Sequence, residues 1–202
     1  MPRQKTISIT LNLPLFPMSS EQIERLDDWL AVTFSIENLF FCTDKPLLCK
    51  TSEKLYFELA YRVQQLSNKI LQLTNIPAFF SSDDIQLIKD DKNLSTLKFS
   101  IPLAFIELTD NRAYEITVAS AFEILYWMIS SELNQTNLRL LYKVVEQKIN
   151  KPLEPYFTGW VSTLPILKAA HDKNIPFIHM GSGDYQLGWG HKAGLISNSA
   201  NE

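Results

Sequence analysis

Two hydrophobic periods divide the chain. From Thr6 to Leu13 the apolar residues fall at Ile7, Ile9, Leu11 and Leu13, the two-residue repeat of a strand with one buried face, and Pro14 and Pro17 end it. Ser19 or Ser20 then caps a helix to about Val32, with Ile23, Leu26 and Leu30 along one side. Thr51-Ser52-Glu53 opens a longer helix in which Leu55, Leu59, Val63, Leu66, Ile70 and Leu73 recur at helical spacing until Asn75 and Pro77 stop it. Leu97 to Leu108, with Phe99, Ile101, Leu103, Phe105 and Ile106, reads as an extended segment, and Pro102 inside it predicts an edge strand or a bulge. Asp110-Asn111-Arg112 is turn chemistry. Thr117 to Leu133 is apolar nearly all round, through Phe122, Leu125, Trp127, Met128 and Ile129, so this helix belongs at the centre of the core. A further helix runs from about Asn137 to Ile149. The mixture predicts an α/β fold, with α+β as the alternative: a mixed sheet with packed helices.

The six glycines change the picture after that. All fall at or beyond Gly159 (Gly159, Gly181, Gly183, Gly188, Gly190, Gly194), and so do the three histidines, His171, His179 and His191. A body of 158 residues without glycine is built from regular elements and from turns made by Asn, Asp and Pro. In the tail, Ser162 or Thr163 caps a short helix to about Lys173, with Pro165 tolerated in its first turn, and Asn174 takes the left-handed position that ends it. Pro176 to Met180 is a strand, Gly181-Ser182-Gly183-Asp184 a turn, and Tyr185-Gln186-Leu187 another strand. Gly188-Trp189-Gly190-His191 is a tight bend, after which Ala193 to Ser197 returns as a partner strand. The expected organisation is an N-terminal domain over 1–155 and a helix, strand and hairpin segment over 156–202.

Composition narrows the function classes. With 202 residues, 46% of them hydrophobic and 20% charged, the chain has globular composition and the length to bury a core without a disulfide or metal staple. A net charge of −3 argues against a phosphate-tracking surface, so no nucleic-acid partner is expected. Cys42 and Cys49, seven positions apart, form neither a disulfide framework nor a metal knuckle, and a reduced cytoplasmic setting is the default. The most apolar window, Ala119 to Ile129, contains Glu123 and is far shorter than the roughly 20 residues that span a bilayer, so no membrane partner is expected.

The run Lys168-Ala169-Ala170-His171-Asp172-Lys173-Asn174-Ile175-Pro176, followed by Tyr185-Gln186-Leu187-Gly188-Trp189-Gly190, resembles the entrance to the ATP-grasp module of cyanophycin synthetase-like ligases. In that family an Ala-Ala-bearing helix ends in Gly-Ile-Pro and leads through a strand to Gln-Leu-Gly-aromatic-Gly. Gly159, Ser162 and Thr163 stand roughly where the family has a Gly-Pro-Ser-Thr helix start, although Trp160 and Val161 intervene. The body resembles the family's N-terminal domain in pattern only. The family usually carries basic residues soon after the bend, whereas here Ala193 and Gly194 follow Lys192 and no arginine occurs beyond Arg139. The resemblance implies an enzyme that phosphorylates a carboxylate with ATP and Mg²⁺ and lets an amine attack the acyl phosphate. It also implies that the phosphate lysines, the glycine-rich loop and the Mg²⁺ carboxylates lie further along than Glu202. The expectation is therefore the N-terminal, substrate-handling region of an amide ligase, not catalytic by itself and holding no cofactor of its own. Its substrate would be a peptide or amino acid, and a partner domain or second copy would complete it. A stand-alone binding or assembly module that adds its hairpin to a partner's sheet is the alternative. A small-molecule binder with the hairpin as lid is a third.

Candidate chemistry follows the same stretch. The bend Gly188-Trp189-Gly190-His191-Lys192 can set an indole and two side chains able to carry positive charge at the mouth of a substrate groove, or it can be a turn that the glycines merely permit. Ser162 and Thr163 at a helix start can hold an anion or simply cap. Gly181-Ser182-Gly183-Asp184 lacks the Lys-Ser/Thr of a phosphate loop. His171 and His179 have no acidic or thiol partner at ligand spacing, and the acidic cluster Asp83-Asp84 and Asp90-Asp91 lacks a calcium loop's glycine, so no metal site and no catalytic residue is expected.

Overall fold

In a computed structural model, which describes residues 6–16, 18–37, 39, 51–74, 76, 85–88, 96–104, 110–156, 163–181 and 184–197, the N-terminal alternation becomes strand β1 (Thr6–Pro14). Ile9, Leu11 and Leu13 point into the core, and Ser8, Thr10 and Asn12 point to solvent. Ser19 accepts from the Gln22 amide while Gln22 Oε1 accepts from the Ser19 amide, a reciprocal cap that starts α1 (Ser20–Phe34). Ser35 ends that helix at φ 52°, a left-handed position that a glycine-free body must fill with a side-chain-bearing residue. Helix α2 (Thr51–Leu73) follows. It buries Leu59, Val63, Leu66 and Ile70, but Leu73 departs from the expected stripe and stands 63% exposed.

Strands β2 (Gln86–Ile88) and β3 (Thr96–Ala104) complete an antiparallel sheet in the order β1-β3-β2. The short β2 carries too little periodicity to be read from sequence. Register pairs Ile9 with Ile101 and Leu11 with Phe99, so both strands give the core the same face. Contrary to the edge-strand expectation, β3 is central, and its proline shows how. Its pairing with β2 ends at Ser100, two residues before Pro102. The Pro102 carbonyl accepts from Gln64 Nε2 at 2.8 Å and so points away from β1. A strand residue's nitrogen and carbonyl face the same way, so the ring nitrogen lies beyond the end of β2, where no ladder bond is lost.

Helix α3 (Asn111–Ile129) begins six residues before the expected Thr117, because Asp110, read as turn chemistry, is its N-cap and accepts from the Arg112 amide at 2.9 Å. It buries one broad face, with Ala113, Tyr114, Val118, Ala121, Ile124, Leu125 and Met128, while Glu115, Ala119, Glu123 and Tyr126 on the other side are exposed, so the all-round apolar pattern packs on one side only. Truncating a large side chain of the buried face, such as Ile124, Leu125 or Met128, to alanine would cost about 2–5 kcal/mol. The helix stops at Ile129, short of the expected Leu133. Helix α4 (Gln135–Val145), capped by Asn134, runs into a π turn (Glu146–Asn150), one α turn, α5 (Lys151–Leu153), and a 3-10 turn (Glu154–Tyr156). Pro152 explains the π turn: it removes an amide and crowds the carbonyl four residues back, that of Lys148. The freed Lys148 carbonyl accepts instead from Ser120 Oγ of α3 at 2.5 Å.

The tail forms α6 (Thr163–Asp172), then strands β4 (Phe177–Gly181), β5 (Asp184–Leu187) and β6 (Gly194–Ile196), an antiparallel sheet in that order. Leu167, Ala170 and Tyr185 are buried outside the body's core cluster, which runs from Ile9 to Leu153. Helices and two small sheets thus form the mixed fold expected, and the strand pairings among the described residues are antiparallel. No helix among the described residues is long and apolar enough to cross a membrane. Both cysteines, the Asp83-Asp84 and Asp90-Asp91 cluster, Asn75, Pro77, Phe105, Ile106, Gly159 and Ser162 lie outside the described residues.

Candidate functional site

The bend that follows β5 is made by two left-handed glycines. Gly188 has φ +74° and Gly190 φ +63°, with Trp189 extended between them at φ −131° and ψ 150°. Three bonds fix the bend. The Gly188 amide donates to the Pro176 carbonyl at 2.7 Å, the Ala193 amide to the Gly190 carbonyl at 3.0 Å, and Gln186 Nε2 to the Gly188 carbonyl at 3.2 Å. A side chain at position 188 would put Cβ 3.2 Å from the Lys192 carbonyl oxygen, whereas Gly190 has open space. Gly188 therefore answers both to its φ and to close backbone approach.

This geometry turns Trp189 outward, 48% exposed, with His191 and Lys192 exposed on the single 3-10 turn over 190–192. An indole face beside an ammonium and an imidazole suits a carboxylate carried on an apolar or planar group. Trp189, His191 and Lys192 are thus exposed within four consecutive residues of one bend. Thr163 does not join them as an open anion site: it is the first residue of α6 and only 2% exposed, in line with Leu167 and Ala170 on the helix's inner face. Ser162 lies outside the described residues.

The preceding elements position the bend. Asn174, at φ 54°, ends α6 in the left-handed conformation, with the Ile175 amide donating to the Ala170 carbonyl at 2.8 Å. Pro176 then directs the chain into β4. Phe177 pairs with Leu187, Ile178 with Gln186, and His179 with Tyr185, and β5 pairs in turn with β6, Gln186 opposite Leu195. Tyr185 is buried on one face, and its burial raises the phenol well above the usual tyrosine range. The other face carries Ile178 and Leu195, the latter 66% exposed; Met180, further along β4, is 58% exposed. His171 Nδ1 lies 3.5 Å from Asp172 Oδ1 on α6.

A second concavity was not legible in the sequence. A cavity of about 510 Å³ opens between the C-terminal ends of α1 and α2 and the π-turn segment, lined by Phe34, Ile70, Leu73, Ile149, Glu146 and Glu154 among others. The signal that could have flagged it is Pro152 inside an otherwise helical run. Among the described residues no three His, Cys, Asp or Glu side chains gather as a metal ligand set. No family model matches the chain, and no curated protein matches it.

Proposed function

We propose that this chain is the N-terminal, substrate-handling part of an ATP-dependent carboxylate–amine ligase of the cyanophycin synthetase type. One observation carries the reading: the Gln186-Leu187-Gly188-Trp189-Gly190 stretch forms a braced bend in which both glycines are left-handed, after a helix that ends in left-handed Asn174 and Ile175-Pro176. Left-handed backbone is what glycine adopts at least cost, which supports reading these positions as the family's pattern glycines, with Asn174 in place of the first. In this reading Trp189, His191 and Lys192 receive a carboxylate-bearing peptide or amino acid in the cytoplasm, and Gly188 and Gly190 hold the turn. In this reading ATP and Mg²⁺ serve the full-length ligase, as the resemblance implies. The bound nucleotide supplies the phosphoryl group that activates the carboxylate.

The test is a titration of the labelled full chain with tetra-aspartate, with tetra-lysine as control. The reading expects the Trp189 indole and the 190–192 amides to shift with the acidic peptide only. No shift with tetra-aspartate would overturn the substrate role, and micromolar binding of MgATP by this chain would overturn the division of labour.

A second reading, a non-catalytic docking module, is favoured by Ile178, Met180 and Leu195 on the tail sheet. It expects the chain to self-associate or capture a partner strand, and replacing Leu195 with lysine to abolish this without touching the tetra-aspartate shifts.

A further inference from the structure

The cavity beside the π turn has a floor and a rim of different chemistry. Phe34, Ile70 and Ile149 are buried and form the floor, while Glu146, Lys151 and Glu154 are exposed at the mouth. Its volume, about 510 Å³, falls in the range of small-molecule pockets. The π turn aligns the two carboxylates. Eight residues at about 100° each would leave Glu154 about 80° round the helix from Glu146. The extra residue taken up by a π turn withdraws about 100° of that, which returns both to one side. Both do line the cavity. The Glu146 carboxylate is also held in place, since Asn150 Nδ2 donates to its Oε2 at 2.7 Å. Among the described lining residues, two carboxylates stand against one ammonium, a net charge of −1. Lys148, within the π turn but not among the lining residues, is engaged elsewhere, with its Nζ 2.7 Å from Glu123 Oε2.

We infer that this cavity is a binding site for a small amphipathic amine: an alkyl or aromatic group seated on Phe34, Ile70 and Ile149, with a protonated amine reaching Glu146 and Glu154. The apolar part supplies burial and the carboxylates select the sign of charge. The inference does not rest on the ligase reading, because no residue of the bend takes part.

The experiment is an amide NMR titration of the full chain with n-hexylamine, n-hexanol and hexanoate at neutral pH. Hexylamine is expected to bind at least fivefold more tightly than hexanoate, with shifts concentrated at 34, 70–74 and 146–154. Glu146→Gln combined with Glu154→Gln should erase the preference for the amine while leaving hexanol binding unchanged, and the spectrum of the unliganded variant verifies its fold. Equal binding of hexanoate, shifts centred elsewhere, an unchanged preference in the variant, or no saturable binding of hexylamine would each overturn the proposal.

Discussion

The hydroxyl of Tyr56 satisfies both backbone polar groups of Phe16, accepting from its amide at 3.1 Å and donating to its carbonyl at 2.7 Å, across 40 residues of sequence. The Phe16 ring meets Tyr56 and Tyr126 edge-on, with centroids 6.2 and 5.4 Å apart. A single phenol thus ties the connection between β1 and α1 to helix α2. Tyr56→Phe keeps the ring contacts and orphans two partly buried backbone groups. It should cost about 1–3 kcal/mol, read as a lowered urea midpoint at unchanged slope.

Arg62 and Asp27 make the corresponding tie between α2 and α1. Arg62 Nε and Nη2 each donate to a different Asp27 oxygen at 2.7 Å, and Nη1 donates to the Glu58 carbonyl at 3.0 Å. The guanidinium side chain is 4% exposed and the carboxylate 39%. Among the described acids, Asp27→Ala leaves the buried cation only the Glu58 carboxylate, 4.0 Å away, and should cost about 3 kcal/mol, the low end of the range for broken buried pairs because water reaches the acid. Arg62→Met removes the buried charge and leaves Asp27, whose carboxylate water reaches, so it should cost less. Denaturation of both variants checks the order. The reverse ranking would mean that the guanidinium contributes mainly through packing.

Much of this architecture was legible and some was not, for local reasons. The periodicity of β1, α1 and α2, the left-handed Asn174, and the strand, bend and strand of the tail all follow from contacts within a few residues, which spacing reports. Ser35, left-handed at φ 52°, carries no such signal, because serine adopts that conformation only where the rest of the fold imposes it. Pro102 misled because edge or centre is decided by where β2 ends, a long-range matter. The groove at the π turn needs three helices to exist, so neither its floor nor Glu146 and Glu154 could be singled out beforehand. Thr163 looked like a cap and is buried, since its exposure depends on what packs over the inner face of α6.

The two bend glycines should differ in their tolerance of alanine. Gly190→Ala meets open space and bears only the left-handed penalty, about 1–2 kcal/mol. Gly188→Ala bears that penalty and also presses Cβ against the Lys192 carbonyl at 3.2 Å, so it should cost more. Hydrogen exchange of the Tyr185–Leu187 amides measures this, with about tenfold faster exchange for each 1.4 kcal/mol lost. Equal effects would show that the Lys192 carbonyl moves aside freely.

Alkaline pH should loosen the tail through Tyr185. Burial disfavours the phenolate, so the folded state holds this proton at a pH where the unfolded chain, titrating near pH 10, has released it. The sign follows from proton counting. Above about pH 10 the unfolded state binds fewer protons than the folded one, so stability falls as pH rises. The contribution is whole below that pH and declines by about 1.4 kcal/mol per unit above it, until the folded phenol itself ionises. Tyr185→Phe removes the titrating group. The variant should therefore lose less protection than the parent chain at the Gln186 and Leu187 amides between pH 10 and 11, after correction for intrinsic exchange. The substitution removes no other ionisable group, so the difference in slope belongs to Tyr185. Parallel slopes would mean that the phenol reaches water in the folded tail, against the 1% exposure that its packing gives it.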